Sequence, residues 1–269
     1  MMQGTLYLLP NRIAETPVEE TIPPKTLAVL RNTRYFLAEN AKTVRAFLKA
    51  AGHPVPISEL SVVEIGHEPD ATKIKEWLTP LEAGHDVAIV SESGCPGIAD
   101  PGANIVAYAQ EADFTVRPLV GPSSILLALM ASGLDGQHFR FLGYLPIKEP
   151  QRSEALKNAE RQSAKGETQI FIETPYRNNA FLQFLSETLQ PTTRITVASD
   201  ITGEQEFVKT KTAAQWKKAD VGLAKVPTIF AILARSVAPG PDHKTGAKRT
   251  DGKHRPKRPF KTGDFWRRA

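Results

Sequence analysis

Three segments hold the residues whose types and spacing suit chemistry. The first is "IVSESGCPGIADPG", Ile89 to Gly102, in which three glycines and two prolines follow an apolar run and precede a helix pattern. Glycine lets a backbone approach a ligand closely, proline stiffens the loop, and a helix start offers free N–H groups. Asp100 suits the N-cap of that helix, with Pro101 at its first position. Such a loop suits a neutral or zwitterionic small molecule held by main-chain contacts; taken alone, it reads more readily as a strand-to-helix connector. The second is "VRPLVGPSSILLALMASGL", Val116 to Leu134, where Gly121-Pro122-Ser123-Ser124 opens an apolar helix. Its serines either cap that helix or hydrogen-bond a ligand, and Leu126, Leu127 and Met130 read as core. The third is "IFIETPYRNN", Ile170 to Asn179. Here Arg177 suits a phosphate or carboxylate and Glu173 a proton or an amine, the alternative being an ion pair that anchors the loop.

Several chemistries find no support. The six histidines have no paired spacing and the chain has one cysteine, so no zinc-type cluster and no structural metal are expected. Gly97 and Gly102 have P-loop spacing, but Ala103 and Asn104 stand where Lys and Ser/Thr belong. A GxGxxG after the first strand and a GxSxG nucleophile elbow are both missing, which argues against dehydrogenase and serine-hydrolase chemistry.

Hydrophobic periodicity supplies the elements that must position these segments. In the first part, strand-like runs at 4–10, 34–39, 61–66, 86–93 and 114–120 alternate with helix-like segments at 42–52, 70–84 and 101–112. The first two helices end on Gly52 and Gly84, as helix C-termini favour. Alternation of this kind predicts a mostly parallel sheet with helices on its faces. The second part has runs at 139–146, 168–175, 194–200, 204–211 and 227–234, with helices at 121–133, 151–165 and 177–189. Only "ITG" separates two of those runs, so its sheet is expected to be mixed. The expectation is an α/β protein of two α/β domains with a ligand cleft between them. The predicted bounds are 1–120 for the N-terminal domain and 121–236 for the C-terminal domain. The first segment leaves the carboxyl end of a strand, where open α/β sheets bind ligands.

Charge separates the remainder of the chain. Residues 237–269 carry ten Lys/Arg against three Asp, or +7, which leaves 24 Lys/Arg against 26 Asp/Glu, or −2, for the rest. That tail is rich in Pro and Gly and poor in aliphatic residues, so it is expected to be disordered. Its cations and the aromatics of "FKTGDFWRRA" suit RNA, and the same composition suits a solubilising extension. No apolar run approaches the roughly 20 residues of a membrane span. The first residues carry no charged leader or long apolar stretch, and together with one cysteine this predicts a cytoplasmic protein.

Taken in order, "GTLYLLP", "FLAEN", "VSESGCPGIADPG", "VRPLVGPSSILLALMASGL" with "FLGYLP", and "FIETPYR" resemble the tetrapyrrole methylase superfamily, the class III S-adenosylmethionine-dependent methyltransferases. Within it they resemble the branch that methylates a cytidine ribose 2′-oxygen of 16S rRNA. The resemblance covers about residues 3–235. It implies a two-domain α/β protein, usually a homodimer, with S-adenosylmethionine as cofactor in the cleft. It implies donor contacts at Pro10, at Gly94, Cys95 and Ile98, at Ser123, Ser124 and Ile125, and at Glu173, Ile201 and Pro227. Glu39 and Arg177 are the candidates for catalytic roles on the acceptor side, and ribosomal RNA is the implied partner.

Three stretches depart from that branch's pattern. "LLPNRIAETP" replaces a Thr-Pro-Ile-Gly-Asn-Leu type sequence, Glu39-Asn40-Ala41-Lys42 replaces Glu-Asp-Thr-Arg, and Ser93-Gly94-Cys95-Pro96 replaces Ala-Gly-Thr-Pro. The first two lie where an RNA substrate is expected. A tetrapyrrole or other small-molecule methyltransferase, and a catalytically inactive donor- or RNA-binding module, therefore stand as rival expectations.

Overall fold

A computed structural model describes residues 3–234. The first half runs β1 (Thr5–Leu9), α1 (Val18–Thr21), α2 (Pro24–Asn32), β2 (Tyr35–Ala38), α3 (Ala41–Ala50), β3 (Ser61–Glu64), α4 (Ile74–Glu82), β4 (Val87–Val90), α5 (Ala103–Glu111) and β5 (Thr115–Pro118). Its strands form a sheet of order β3-β2-β4-β1-β5, every pair parallel. Successive strand residues point to opposite faces, so the inner strands β1, β2 and β4 feed two cores. Phe36, Ala38, Ala88 and Val90 pack with Leu27 and Leu30 of α2 and Val44, Phe47 and Leu48 of α3. On the other face Leu37, Val87 and Ile89 pack with Ile74, Leu78 and Leu81 of α4 and Ile105 of α5. Strands buried on both faces read as continuous apolar runs, as "VAIV" of β4 does.

The second half runs α6 (Ser124–Ser132), β6 (Phe139–Tyr144), α7 (Gln151–Ser163), β7 (Thr168–Glu173), α8 (Asn178–Thr188), β8 (Arg194–Ser199), β9 (Phe207–Thr212), α9 (Ala213–Trp216) and β10 (Thr228–Leu233). Its sheet has the order β6-β7-β10-β8-β9, with β6 parallel to β7 and the other three pairs antiparallel. In β10, Phe230 and Ile232 face α7, α8 and α9, while Ile229 and Ala231 face Ile125, Ala128 and Leu129 of α6. Ile13, from the loop after β1, joins that second cluster and ties the first half to the second.

The mixed second sheet and the parallel first sheet agree with the sequence reading. Several elements differ. The helix expected from Pro101 starts at Ala103, with Gly102 as N-cap at φ 129° and no side-chain cap. Gly102 turns the chain too late for Asp100 to reach the helix N-terminus, and the aspartate belongs to the loop instead. The one-turn helices Val18–Thr21 and Ala213–Trp216 were not expected, nor was the helix Pro24–Asn32, which begins on Pro24 and buries Thr26, Leu27 and Leu30. The tail 237–269 lies outside the described residues. Among the described residues no helix is long and apolar enough to cross a membrane.

Candidate functional site

Loops leaving the carboxyl ends of β1, β4 and β5 meet beside the second sheet. Asn11 follows β1, and its buried side chain donates to the carbonyls of Ser91 (3.1 Å) and Glu92 (3.0 Å). Its backbone N–H donates to the Gly94 carbonyl at 2.9 Å, so the β1 and β4 loops are joined at three points. Gly94, Gly97 and Gly102 all adopt positive φ, as does the non-glycine Ala99 at 65°. A residue other than glycine in that region is strained and is retained where the surroundings fix it. After β5, Gly121 packs on Pro10 with no space for a Cβ. Ser123 then caps α6, its hydroxyl accepting from the Leu126 N–H at 3.5 Å.

These loops wall a cavity of about 280 Å³ whose other side is the second sheet, just under the roughly 300–1,000 Å³ of small-molecule sites. Nine of the ten residues expected at the donor line it: Gly94, Cys95, Ile98, Ser123, Ser124, Ile125, Glu173, Ile201 and Pro227. Pro10 stands behind this wall against Gly121. Sequence reasoning missed Ile13, Asp100, Phe141, Ile172 and Ile229, which also line it. The isoleucines and Phe141 carried only a strand or core signal, and Asp100 was taken for a helix cap.

The cavity is apolar with two carboxylates, Glu173 and Asp100, and has no Lys or Arg among its lining residues. Glu173 Oε1 accepts from Arg177 Nε (3.0 Å) and Nη2 (2.7 Å) and from the Thr174 N–H (2.7 Å). Arg177 is thus taken up by the ion pair, which fixes Glu173 in the cavity wall. Burial first, then the charge of Glu39, raises the Asp100 carboxyl to about 6, with Glu92 adding to the rise. The nearby Ser91 hydroxyl and His67 oppose that rise, although the Ser91 hydroxyl makes no hydrogen bond of ordinary geometry. Burial, and secondarily Asp100, push the Cys95 thiol up, away from the thiolate a nucleophile needs.

Glu39 does not line the cavity. It is buried, 6% exposed, at the end of β2. Its Oε2 accepts from the Glu92 N–H at 2.9 Å and its Oε1 lies 2.8 Å from His67 Nδ1. Acid and imidazole ligand atoms of Glu39, His67 and Glu92 lie within 4.8 Å of one another. The spacing of the histidines held no sign of this grouping, because its members come from the ends of three different strands. Beside the cavity runs a groove of about 780 Å³ lined by Arg12, Asn40, Lys42, Thr43, Glu92 and Asp200, and sharing Ile13, Ser93 and Pro227 with it.

The family model of the Tetrapyrrole (Corrin/Porphyrin) Methylases matches residues 19–216. Among curated relatives named "Ribosomal RNA small subunit methyltransferase I", that of Micromonospora olivasterospora is 35% identical over 69% of this chain and 56% of its own length. That of Bacillus subtilis is 32% identical over 77% and 67%, and that of Escherichia coli O157:H7 is 29% identical over 86% and 78%. The chain therefore spans little more than half of the first of these. Among solved structures, uroporphyrin-III-C-methyltransferase from Thermus thermophilus aligns with a TM-score of 0.53 at 18% identity, covering 87% of this chain and 93% of that one. A conserved hypothetical protein from Aeropyrum pernix K1 aligns at 0.61 and 18% identity, covering 87% and 85%. At that identity the likeness is one of fold.

Proposed function

This chain belongs to the tetrapyrrole (corrin/porphyrin) methylase family, and from that premise we propose that it is an S-adenosylmethionine-dependent methyltransferase acting on 16S ribosomal RNA. The observation that carries the reading is the cavity itself. It is mostly apolar, has Gly94 at positive φ in its wall, and bears two carboxylates and no Lys or Arg. That lining fits S-adenosylmethionine, which carries a sulfonium and an ammonium on an otherwise uncharged frame. When bound, the donor supplies an activated methyl group; the chain's own residues need only bind, orient and exclude water.

Gly94 lets the backbone close on the ligand, and behind the wall Gly121 rests on Pro10. Cys95 and Ile98 pack on it from the loop after β4, Ile125 from α6, and Ile201 and Pro227 from the turns after β8 and before β10. Ser123 and Ser124 offer hydroxyls and N–H groups. Glu173, held by Arg177, faces the cationic end, and Asp100 adds a second carboxylate. The acceptor enters by the adjoining groove, where Arg12 and Lys42 suit a phosphate backbone; Glu39 is buried behind the groove-lining Glu92, whose N–H it accepts.

RNA as the acceptor is supported by the curated relatives' names and by the +7 tail, which attracts phosphate without regard to sequence. We divide the chain into an N-terminal domain to residue 120 and a C-terminal domain to 236. Leu126 (50%) and Met130 (78%) of α6, expected in the core, are exposed instead; they support the homodimer that the resemblance implies, and a cytoplasmic location fits a ribosomal substrate. Calorimetry tests the premise: S-adenosylmethionine and its demethylated product both bind, and an absence of heat at millimolar ligand sinks the methyltransferase reading.

A further inference from the structure

Three neighbouring parallel strands, β3, β2 and β4, are each followed on the same rim of the first sheet by a group able to move a proton: His67, Glu39 and Glu92. Glu39 is held rigidly. It is buried, one oxygen is fixed by the Glu92 N–H at 2.9 Å, and the other faces His67 Nδ1 at 2.8 Å. His67 is the opposite case: its side chain is 78% exposed. Its Nε2 makes no hydrogen bond among the described residues. An ordinary exposed His–Glu pair wanders and contributes little. Here the carboxylate is anchored by backbone, so the ring's orientation is set. A carboxylate accepting at Nδ1 also fixes the neutral tautomer, with the proton on Nδ1 and a bare lone pair on Nε2.

The ring sits beside residues that line the two spaces. Glu92, beside it, lines the groove. Asp100, whose carboxyl interacts with Glu39, Glu92 and His67, lines the cavity. His67 lines neither space itself: a ring nitrogen and a Glu92 carboxylate oxygen lie within 4.8 Å of each other, so the exposed ring stands one residue back from the groove, open to an acceptor lying over that edge. The groups nearest it on the neighbouring elements are three carboxylates: Glu39 after β2, and Glu92 and Asp100 after β4.

We propose that His67 is the general base of the transfer, with Glu39 as its positioning residue. The inference rests on the methyltransferase reading and names the acceptor chemistry as a hydroxyl. The acceptor's O–H proton passes to Nε2 as its oxygen forms a bond to the methyl carbon. The carbon–sulfur electron pair stays on sulfur as a neutral thioether, and the imidazolium, stabilised by Glu39, later releases the proton to water. Positioned bases of this kind contribute about 10²–10⁴-fold.

The test uses the full chain, with 30S subunits from a strain lacking it. His67→Ala should bind S-adenosylmethionine as the wild type does and transfer labelled methyl about 100-fold more slowly or worse. Added imidazole should restore the rate in proportion to its free base. Long-range nitrogen–proton NMR of the donor-free protein should find His67 protonated at Nδ1, and Glu39→Gln should scramble that tautomer while sparing donor binding. Transfer by His67→Ala at the wild-type rate overturns the base alone. Loss of donor binding in both His67→Ala and His67→Gln makes the residue structural and overturns it too. Broadening of the His67 resonances by stoichiometric Mn²⁺ assigns the ring to a metal instead. A wild-type chain that binds donor but labels no acceptor contradicts the methyltransferase reading itself, and the base with it.

Discussion

Gly121 rests on Pro10 so closely that a Cβ on the glycine overlaps the proline ring. The two residues join the loops after β1 and β5, so the wall of the cavity is set by a contact only glycine permits. Gly121→Ala should lower stability by about 1–3 kcal/mol, the usual cost of overpacking, and weaken donor binding as the wall shifts. Urea unfolding and calorimetry read both effects. Wild-type values in the two assays would show that the wall yields freely.

Gly94 and Cys95 are neighbours with opposite expectations. Gly94 has φ +70° and its added Cβ would meet Ile13 Cγ2 at 3.4 Å, whereas the Cys95 thiol makes only a 3.4 Å contact to the Pro122 carbonyl. Gly94→Val should cost about 1–2 kcal/mol in backbone strain and reduce donor affinity tenfold or more. Cys95→Ala should bind nearly normally. Equal losses in the two variants would give the thiol a role this geometry does not.

The opening loop was readable in sequence because its glycines and prolines do a local job: each marks a backbone conformation that other residues rarely adopt. The two sheets were readable because "VAIV" and its like can only be buried strands at that spacing. The helix Pro24–Asn32 was missed although Pro24 sits at its start and Leu27 and Leu30 are three apart, since one buried stripe in nine residues is a weak periodic signal. Asp100 was misread for a different reason. An Asp-Pro pair is a sound cap signal, but Gly102 delays the helix, and Glu39, the carboxylate with the larger effect on the aspartate, is distant in sequence. The pairing of Glu39 with His67 is likewise a product of strand order, which spacing does not encode.

Asp100 gives a pH signature. Its carboxyl titrates near 6 in the folded chain, against an ordinary 3.8. A raised acid contributes stability that is full below the unfolded value and lost as pH rises through the folded one. The window is therefore pH 4 to 6, with stability falling upward through it. Asp100→Asn should melt higher than the wild type at pH 8, and the gap should close toward pH 4. A gap that is constant with pH would mean that the carboxyl is not held in this way.

The tail offers a separable test. Removing residues 237–269 takes away ten Lys/Arg, so affinity for a 16S rRNA fragment should fall and the slope of log K against log salt should flatten. Donor affinity should not change. An unaltered slope would make the tail a bystander in RNA binding.

The most direct measurement of the central claim is transfer of labelled methyl from S-adenosylmethionine to 30S subunits taken from a strain that lacks this protein. The account predicts label in the 16S rRNA, at a ribose 2′-oxygen, dependent on the wild-type chain and lost with Gly94→Val. Label that is absent from the rRNA, or that appears only on a tetrapyrrole or another small acceptor, would contradict it.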